Sequence, residues 1–113
     1  IMCGISGLFD ESLSESSMES RLLLMSELLG HRGPDDSGLW THSNLKLGLS
    51  HKRLSVIDLS DHGKQPMTDT NGNWIAFNGE IYNYKELAKE IGLNKFKSNS
   101  DTEVILLAYK KWG

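Results

Sequence analysis

Residues 66–79 read PMTDTNGNWIAFNG, and their reading sets the fold class. Asn71-Gly72, between Pro66-Met67-Thr68 and Trp74-Ile75-Ala76-Phe77, predicts a β-hairpin with a type I′ turn, which needs positive φ at both central residues. Asn78-Gly79 then ends the second strand. Toward the N-terminus, apolar positions alternate from Leu39 to Leu59 (Leu45, Leu47, Leu49, then Leu54 and Val56), which predicts a meander of antiparallel strands. A shift of phase near His51 predicts a bulge or turn there. The preceding stretch HRGPDDSG (31–38) concentrates Gly, Pro and Asp and reads as a loop.

Further outward, CGISGLF (3–9) alternates around two glycines, as a buried strand does where another element approaches its backbone; it is expected inside the sheet rather than at an edge. Ser16 with Glu19 makes a capping box, Met18, Leu22, Met25 and Leu29 recur at helical spacing, and Gly30 follows, so a helix is predicted over about 17–29. On the C-terminal side, Asn83 with Glu86 opens a second helix with Leu87, Ala88 and Ile91 inward and Gly92 at its end. Ser100 with Glu103 opens a third, through Val104, Leu107 and Ala108 to Lys110 and Lys111. The order β, α, several β, α, α makes the class α+β, with no internal repeat or linker.

Composition agrees with one globular domain: 113 residues, 38% hydrophobic and 24% charged, with 11 glycines. No apolar run approaches the ~20 residues needed to span a bilayer, and no secretory signal is visible. The net charge of -3, from 12 basic and 15 acidic residues, leaves no basic footprint for nucleic acid. A single cysteine, Cys3, forbids an intramolecular disulfide and fits a reducing cytoplasm.

A lone cysteine is most often a small buried hydrophobe. The alternative for Cys3 comes from Met2, which resembles an initiator whose removal would expose Cys3 as the first residue. A thiol (reference pKa ~8.5) and an α-amine (~7.7–8.0) then share one residue, and the nucleophile has its own general base. Asn78-Gly79 could be only a turn, or could supply a side-chain amide and an unhindered N–H to an oxyanion. Arg53 suits bidentate binding of a carboxylate, although a solvated surface Arg is commoner. Asp101 and Glu103 are expected at a helix start for dipole reasons alone. Glu80 has no such explanation and could hold a substrate ammonium.

His31, Asp35, Asp36, His51, Asp58, Asp61 and His62 are potential metal ligands, but their spacings match no zinc pattern, and no metal is expected. Trp40, Trp74 and Trp112 read as core or rim aromatics. No Walker or Rossmann glycine-rich loop is present.

Taken together and in order, MCGISGLFD (2–10), HRGPDDSG (31–38), HKRLSVIDLS (51–60), QPM (65–67), FNGEIYNY (77–84) and SDTEVIL (100–106) resemble the N-terminal glutaminase domain of glutamine-hydrolysing asparagine synthetases. That family is a class II glutamine amidotransferase with the N-terminal nucleophile (Ntn) hydrolase αββα sandwich. The resemblance implies hydrolysis of L-glutamine to glutamate, with ammonia passed to a second domain for ATP-dependent amidation of aspartate to asparagine. By position, Cys3 would be the nucleophile and its α-amine the base, and Asn78 and Gly79 the oxyanion hole. Arg53 would pair with the substrate α-carboxylate, Glu80 and Asp101 with the α-ammonium. The backbone of Leu54, Ser55, Val56 and Ile57 would line the pocket. HRGPDDSG would shape the loop beside the nucleophile.

The same resemblance implies that residues 1–113 are the N-terminal part of a glutaminase domain, with the synthetase domain, its ATP and its magnesium outside the chain and no cofactor within it. The sandwich is then expected to be incomplete, and open sheet edges would invite homo-oligomers. Ile1 and Met2 precede Cys3 and read as an appended remnant; while they remain, the free amine belongs to Ile1 and the chain is expected to be inactive or nearly so. Two other readings stay open: an amidotransferase with another carboxylate acceptor such as a sugar acid, and a non-catalytic module that binds glutamine or docks a partner. A metal-dependent hydrolase is more distant. Other class II amidotransferases fit FNGEIYNY and SDTEV less well.

Overall fold

A computed structural model describes residues 4–30, 36–42, 44, 46–53 and 63–113, with the backbone alone for Asp36 and Arg53. The elements are β1 (Gly4–Phe9), α1 (Glu15–Leu28), β2 (Asp36–His42), β3 (Leu47–Arg53), β4 (Met67–Thr68), β5 (Trp74–Ile75), α2 (Tyr84–Ile91), a short 3-10 turn (Leu93–Lys95) and α3 (Asp101–Trp112). The class is α+β, as the hydrophobic pattern predicts.

Strands β1, β3 and β2 form an antiparallel sheet in that order. Successive side chains of a strand point to opposite faces, and the two faces have different covers. α1 lies on one. There Met18 and Leu22 are buried, and a Cβ on Gly48 would collide with the Leu22 side chain, so helix and strand approach as closely as glycine allows. Ser6 and Ser50 share a hydrogen bond on this face, one partner from each neighbouring strand.

The opposite face meets the segment from Gln65 to Phe77. Trp40 of β2 stacks on Trp74 of β5 with ring centroids 4.7 Å apart. A Cβ on Gly38 would run into the Gln65 carbonyl, so only glycine admits the segment this close. Beyond it comes α3, which touches both β4 and β5. Ala88 and Ile91 of α2 and Val104 of α3 form a buried cluster behind, flanked by Leu87, Leu107 and Ala108. The layers therefore run helix, sheet, hairpin, helices.

Several expectations are corrected. β1 is an edge of its sheet among the described residues, because it pairs only with β3, and Ile5 and Phe9 are 45% and 63% exposed. Asp36–Gly38, expected in a loop, open β2: pairing with Arg53, Lys52 and His51 outweighs their turn chemistry. The ladders run unbroken through His51 on both sides, so no bulge interrupts β3, and the rest of the expected meander, from residue 54 to 59, lies outside the described residues. α1 is capped two residues earlier than expected, by Ser14 rather than Ser16, and the extended backbone of Ser14 lets its Oγ accept from the Ser17 N–H.

The hairpin forms where expected but by another turn. Only Gly72 has positive φ (85°), and a three-residue loop closes between Asp69 and Asn73, whose N–H and C=O groups bond at 3.2 Å. The reason is the Asp69 carboxylate, which accepts from the N–H groups of Asn71 (2.8 Å) and Asn73 (3.1 Å) and from the Asn73 side chain (2.8 Å). Such an Asx arrangement competes successfully with the type I′ geometry. Asn83 begins α2 by position, without a side-chain cap. Ser100 does cap α3, accepting from Thr102 N–H at 3.1 Å. Its expected partner Glu103 points elsewhere, accepting from the N–H groups of Lys97 and Ser98 and from the Ser98 hydroxyl at 2.6 Å.

Candidate active site

The segment from Phe77 to Ile81 follows β5 with no ladder among the described residues, and three of its backbone polar groups bond instead to side chains from β3, from the segment before β4 and from α3. The Phe77 N–H donates to Gln65 Oε1 at 2.6 Å. The Phe77 carbonyl accepts from His51 Nε2 at 3.3 Å; a carbonyl can only accept, so this nitrogen carries the ring proton. At the far end the Ile81 N–H donates to Asp101 Oδ2 at 3.0 Å. The arc Asn78-Gly79-Glu80 is thus suspended between fixed ends.

Within the arc, the Asn78 side chain is half-buried, and neither its amide nor the Gly79 N–H bonds to any described residue. Gly79 lies over the ring of Phe77, where a Cβ would sit 2.9 Å from the ring edge. An alanine there would push the tip of that ring aside. The result is two donors on neighbouring residues, carried by a segment whose ends are held by side-chain hydrogen bonds, and such donors can stabilise a developing oxyanion. Glu80 is exposed beside them.

Asp101 is 94% buried by its 6% exposure at the first turn of α3, with Oδ2 taken by Ile81 and Oδ1 without a hydrogen bond to a described residue. A carboxylate so placed is expensive to desolvate unless further donors or a cation meet it. Thr102 and Glu103, next in sequence, are also buried and also hold loops: Thr102 Oγ1 accepts from Gln65 Nε2 at 3.0 Å, and Glu103 binds the 97–98 backbone. The SDTE segment is a set of three consecutive clamps on one helix start.

Of the residues proposed from sequence, the structure links Asn78 and Gly79 through Phe77 to His51, and joins Asp101 to the end of the same arc. Arg53 ends β3 two residues beyond His51, paired with Asp36. Cys3, and the pocket backbone of Leu54, Ser55, Val56 and Ile57, lie outside the described residues. β1 begins at Gly4, directly after Cys3 in sequence, and Gly4 pairs with Lys52, the neighbour of Arg53. Sequence reasoning missed Gln65, His51 and Thr102 as the framework of the arc. Their only signal was the presence of Gln65, His51 and Thr102 within conspicuous motifs.

Among the described residues no three His, Cys, Asp or Glu side chains come together to hold a metal ion. Of the candidate ligands, His31, Asp35, Asp58, Asp61 and His62 lie outside the described residues. No described helix is long and apolar enough to cross a membrane.

The family model described as glutamine amidotransferase domain matches residues 2–113. Among curated proteins, the chain is 36% identical to the putative asparagine synthetase [glutamine-hydrolyzing] 2 of Methanocaldococcus jannaschii, over 99% of this chain and 24% of that protein. It is 40% identical to asparagine synthetase B [glutamine-hydrolyzing] of Escherichia coli, over 99% of this chain and 20% of that protein. It is 46% identical to the amidase chry2 of Gibberella zeae, over 77% of this chain and 13% of that protein. The chain therefore spans a quarter or less of the length of these relatives. By the match along nearly its whole length, the chain belongs to the glutamine amidotransferase domain family.

Proposed function

We propose that this chain hydrolyses L-glutamine to L-glutamate and ammonia, as the glutaminase part of a longer protein that uses the ammonia for ATP-dependent amidation of aspartate to asparagine. The observation that supports it most is the arc of residues 77–81, which presents the Asn78 amide and the Gly79 N–H on a mount fixed by His51, Gln65 and Asp101. The layer order helix, sheet, hairpin, helices supports an Ntn-hydrolase αββα sandwich as the complete fold.

In this reading Cys3 becomes the first residue. Its thiol gives a proton to its own α-amine while Sγ bonds to the side-chain amide carbon of glutamine. The C=O electron pair moves onto oxygen, where the Asn78 amide and the Gly79 N–H receive the charge. The protonated amine returns the proton to the leaving nitrogen, the C–N bond breaks and ammonia departs. Water then attacks the thioester, its proton passing to the amine, and glutamate leaves as Sγ regains a proton. Arg53 binds the α-carboxylate bidentately. Asp101, already anchored by Ile81, offers Oδ1 to the α-ammonium, with Glu80 beside it, and the backbone of residues 54–57 walls the pocket.

ATP and magnesium belong to the amidation in the longer protein, and no step above uses them. A carboxylate other than aspartate, such as a sugar acid, is the alternative acceptor. The test is ammonia release from glutamine by protein whose first residue is Cys3. Turnover that vanishes in Cys3→Ala, and in the form still carrying Ile1 and Met2, supports the reading. Glutamine binding without turnover would turn it toward a non-catalytic module.

A further inference from the structure

We infer that Gln65 is a positioning residue for the oxyanion arc, held in turn by Thr102 at the start of α3; the inference rests on the functional reading above. Phe77 is the last residue before Asn78, and the β4–β5 pairing stops at Ile75, so no strand partner among the described residues fixes it. Its N–H is instead satisfied by Gln65 Oε1 at 2.6 Å. The same amide donates through Nε2 to Thr102 Oγ1 at 3.0 Å. Only a side chain that accepts at one atom and donates at the other can do both at once, which is the chemistry of a carboxamide.

Both ends of this relay are themselves held by further contacts. Thr102 is 1% exposed, and its own N–H is bound by the Ser100 cap. The Gln65 main chain is pressed against Gly38 of β2, where no Cβ fits. His51 holds the other face of the same residue through the Phe77 carbonyl. The first turn of α3 therefore reaches both ends of the arc, directly through Asp101 to Ile81 and indirectly through Thr102 and Gln65 to Phe77.

Oxyanion donors act only when they sit about 2.7–3.1 Å from where charge develops, and a displacement near 1 Å costs about 100-fold in rate. Loosening Phe77 moves Asn78 and Gly79 at the near end of the arc, while Asp101, assigned to the substrate's α-ammonium, keeps its own bond to Ile81 at the far end. Gln65 thus governs kcat and leaves KM nearly alone. Thr102, one hydrogen bond further away, has the same effect at smaller size.

The test is steady-state glutamine hydrolysis by the whole protein with Cys3 first, in the unmodified form and in Gln65→Leu, Gln65→Glu, Thr102→Val and Thr102→Ser. Gln65→Leu is expected to lower kcat by about 10–100-fold with KM within about threefold. Gln65→Glu, an acceptor with no proton to give Thr102 when ionised, falls between. Thr102→Val lowers kcat less, and Thr102→Ser, which keeps the hydroxyl, restores it. Amide exchange at Phe77 speeds up in Gln65→Leu and in Thr102→Val. A folded Gln65→Leu with unchanged kcat overturns the inference alone, as does a Thr102→Val that matches the unmodified protein while Gln65→Leu fails to fold. An unmodified protein that binds glutamine and never hydrolyses it overturns the functional reading, and this inference with it.

Discussion

The two faces of the three-stranded sheet are covered by different means. Under α1 the contact is carbon on carbon: Leu22 is fully buried, Met18 lies beside it, and Gly48 lets the helix settle onto the backbone. Across the sheet, the segment from Gln65 to Ile81 has only two-residue strands and depends on side-chain groups bonding to main chain, Gln65 and His51 to Phe77 and Asp101 to Ile81. The first cover resists changes of volume. The second is sensitive to single polar atoms, since a buried N–H left without its partner costs about 1–3 kcal/mol and also shifts the backbone. A rigid apolar support on one side and a polar suspension on the other suit a site whose donors must be placed to a fraction of an ångström.

The largest stability effect is expected on the α1 side. Leu22→Ala removes a fully buried side chain, and the cavity it leaves should cost about 2–5 kcal/mol, read as a lower denaturant midpoint at unchanged slope. kcat of the folded protein should stay within about twofold, because no described residue on that face reaches the arc. A tenfold loss of kcat at temperatures where the variant is folded would erase the distinction between the faces.

Gly38→Ala tests where the two covers meet. Its Cβ would overlap the Gln65 carbonyl, a backbone atom with no rotamer to escape into, so the strain should approach or exceed the upper end of the about 1–3 kcal/mol seen for overpacking. Because Gln65 must move, kcat should fall together with stability, unlike in Leu22→Ala. Measuring both in the two variants separates the covers directly.

The smallest effect is in the hairpin. Burial by itself would raise the Asp69 pKa, but hydrogen bonds from the Asn73 side chain and from the Asn71 and Asn73 N–H groups, with Lys110 nearby, outweigh it and hold the carboxyl below its ordinary value. A carboxyl depressed in the folded state stabilises above its unfolded pKa, and that contribution disappears as pH falls through the folded value. Stability should therefore decline below the ordinary carboxylate range. Asp69→Ala should cost about 1 kcal/mol at neutral pH, the net worth of a typical hydrogen bond, and flatten this part of the acid profile. An unchanged acid profile in Asp69→Ala would contradict the assignment.

What could be read in the sequence follows from how local each cause is. The Ser100 cap, the inward stripe of α2 and the position of the hairpin around Asn71-Gly72 depend on neighbours within a few residues, and all are found where the pattern puts them. The type of the hairpin turn was missed because Asp69 captures two amides across the loop. Asp36–Gly38 join β2 through partners in β3, and β1 lies at an edge through the order of pairing; neither is visible along the chain. At the site, Asn78-Gly79 stood out as a dipeptide able to form an oxyanion hole, whereas Gln65, His51 and Thr102 act through contacts 12 to 37 residues away. Periodicity holds no record of such contacts.

The proposed reaction depends on the arc as a mount for two oxyanion donors, and Asn78→Ala probes it most directly. Removing one such donor should lower kcat for glutamine hydrolysis by about 100–1,000-fold. Glutamine affinity, measured in a Cys3→Ala background, should stay within about threefold, since the ground-state amide gains little from the donor that its transition state needs. A folded Asn78→Ala protein that hydrolyses glutamine at the unmodified rate would contradict the account.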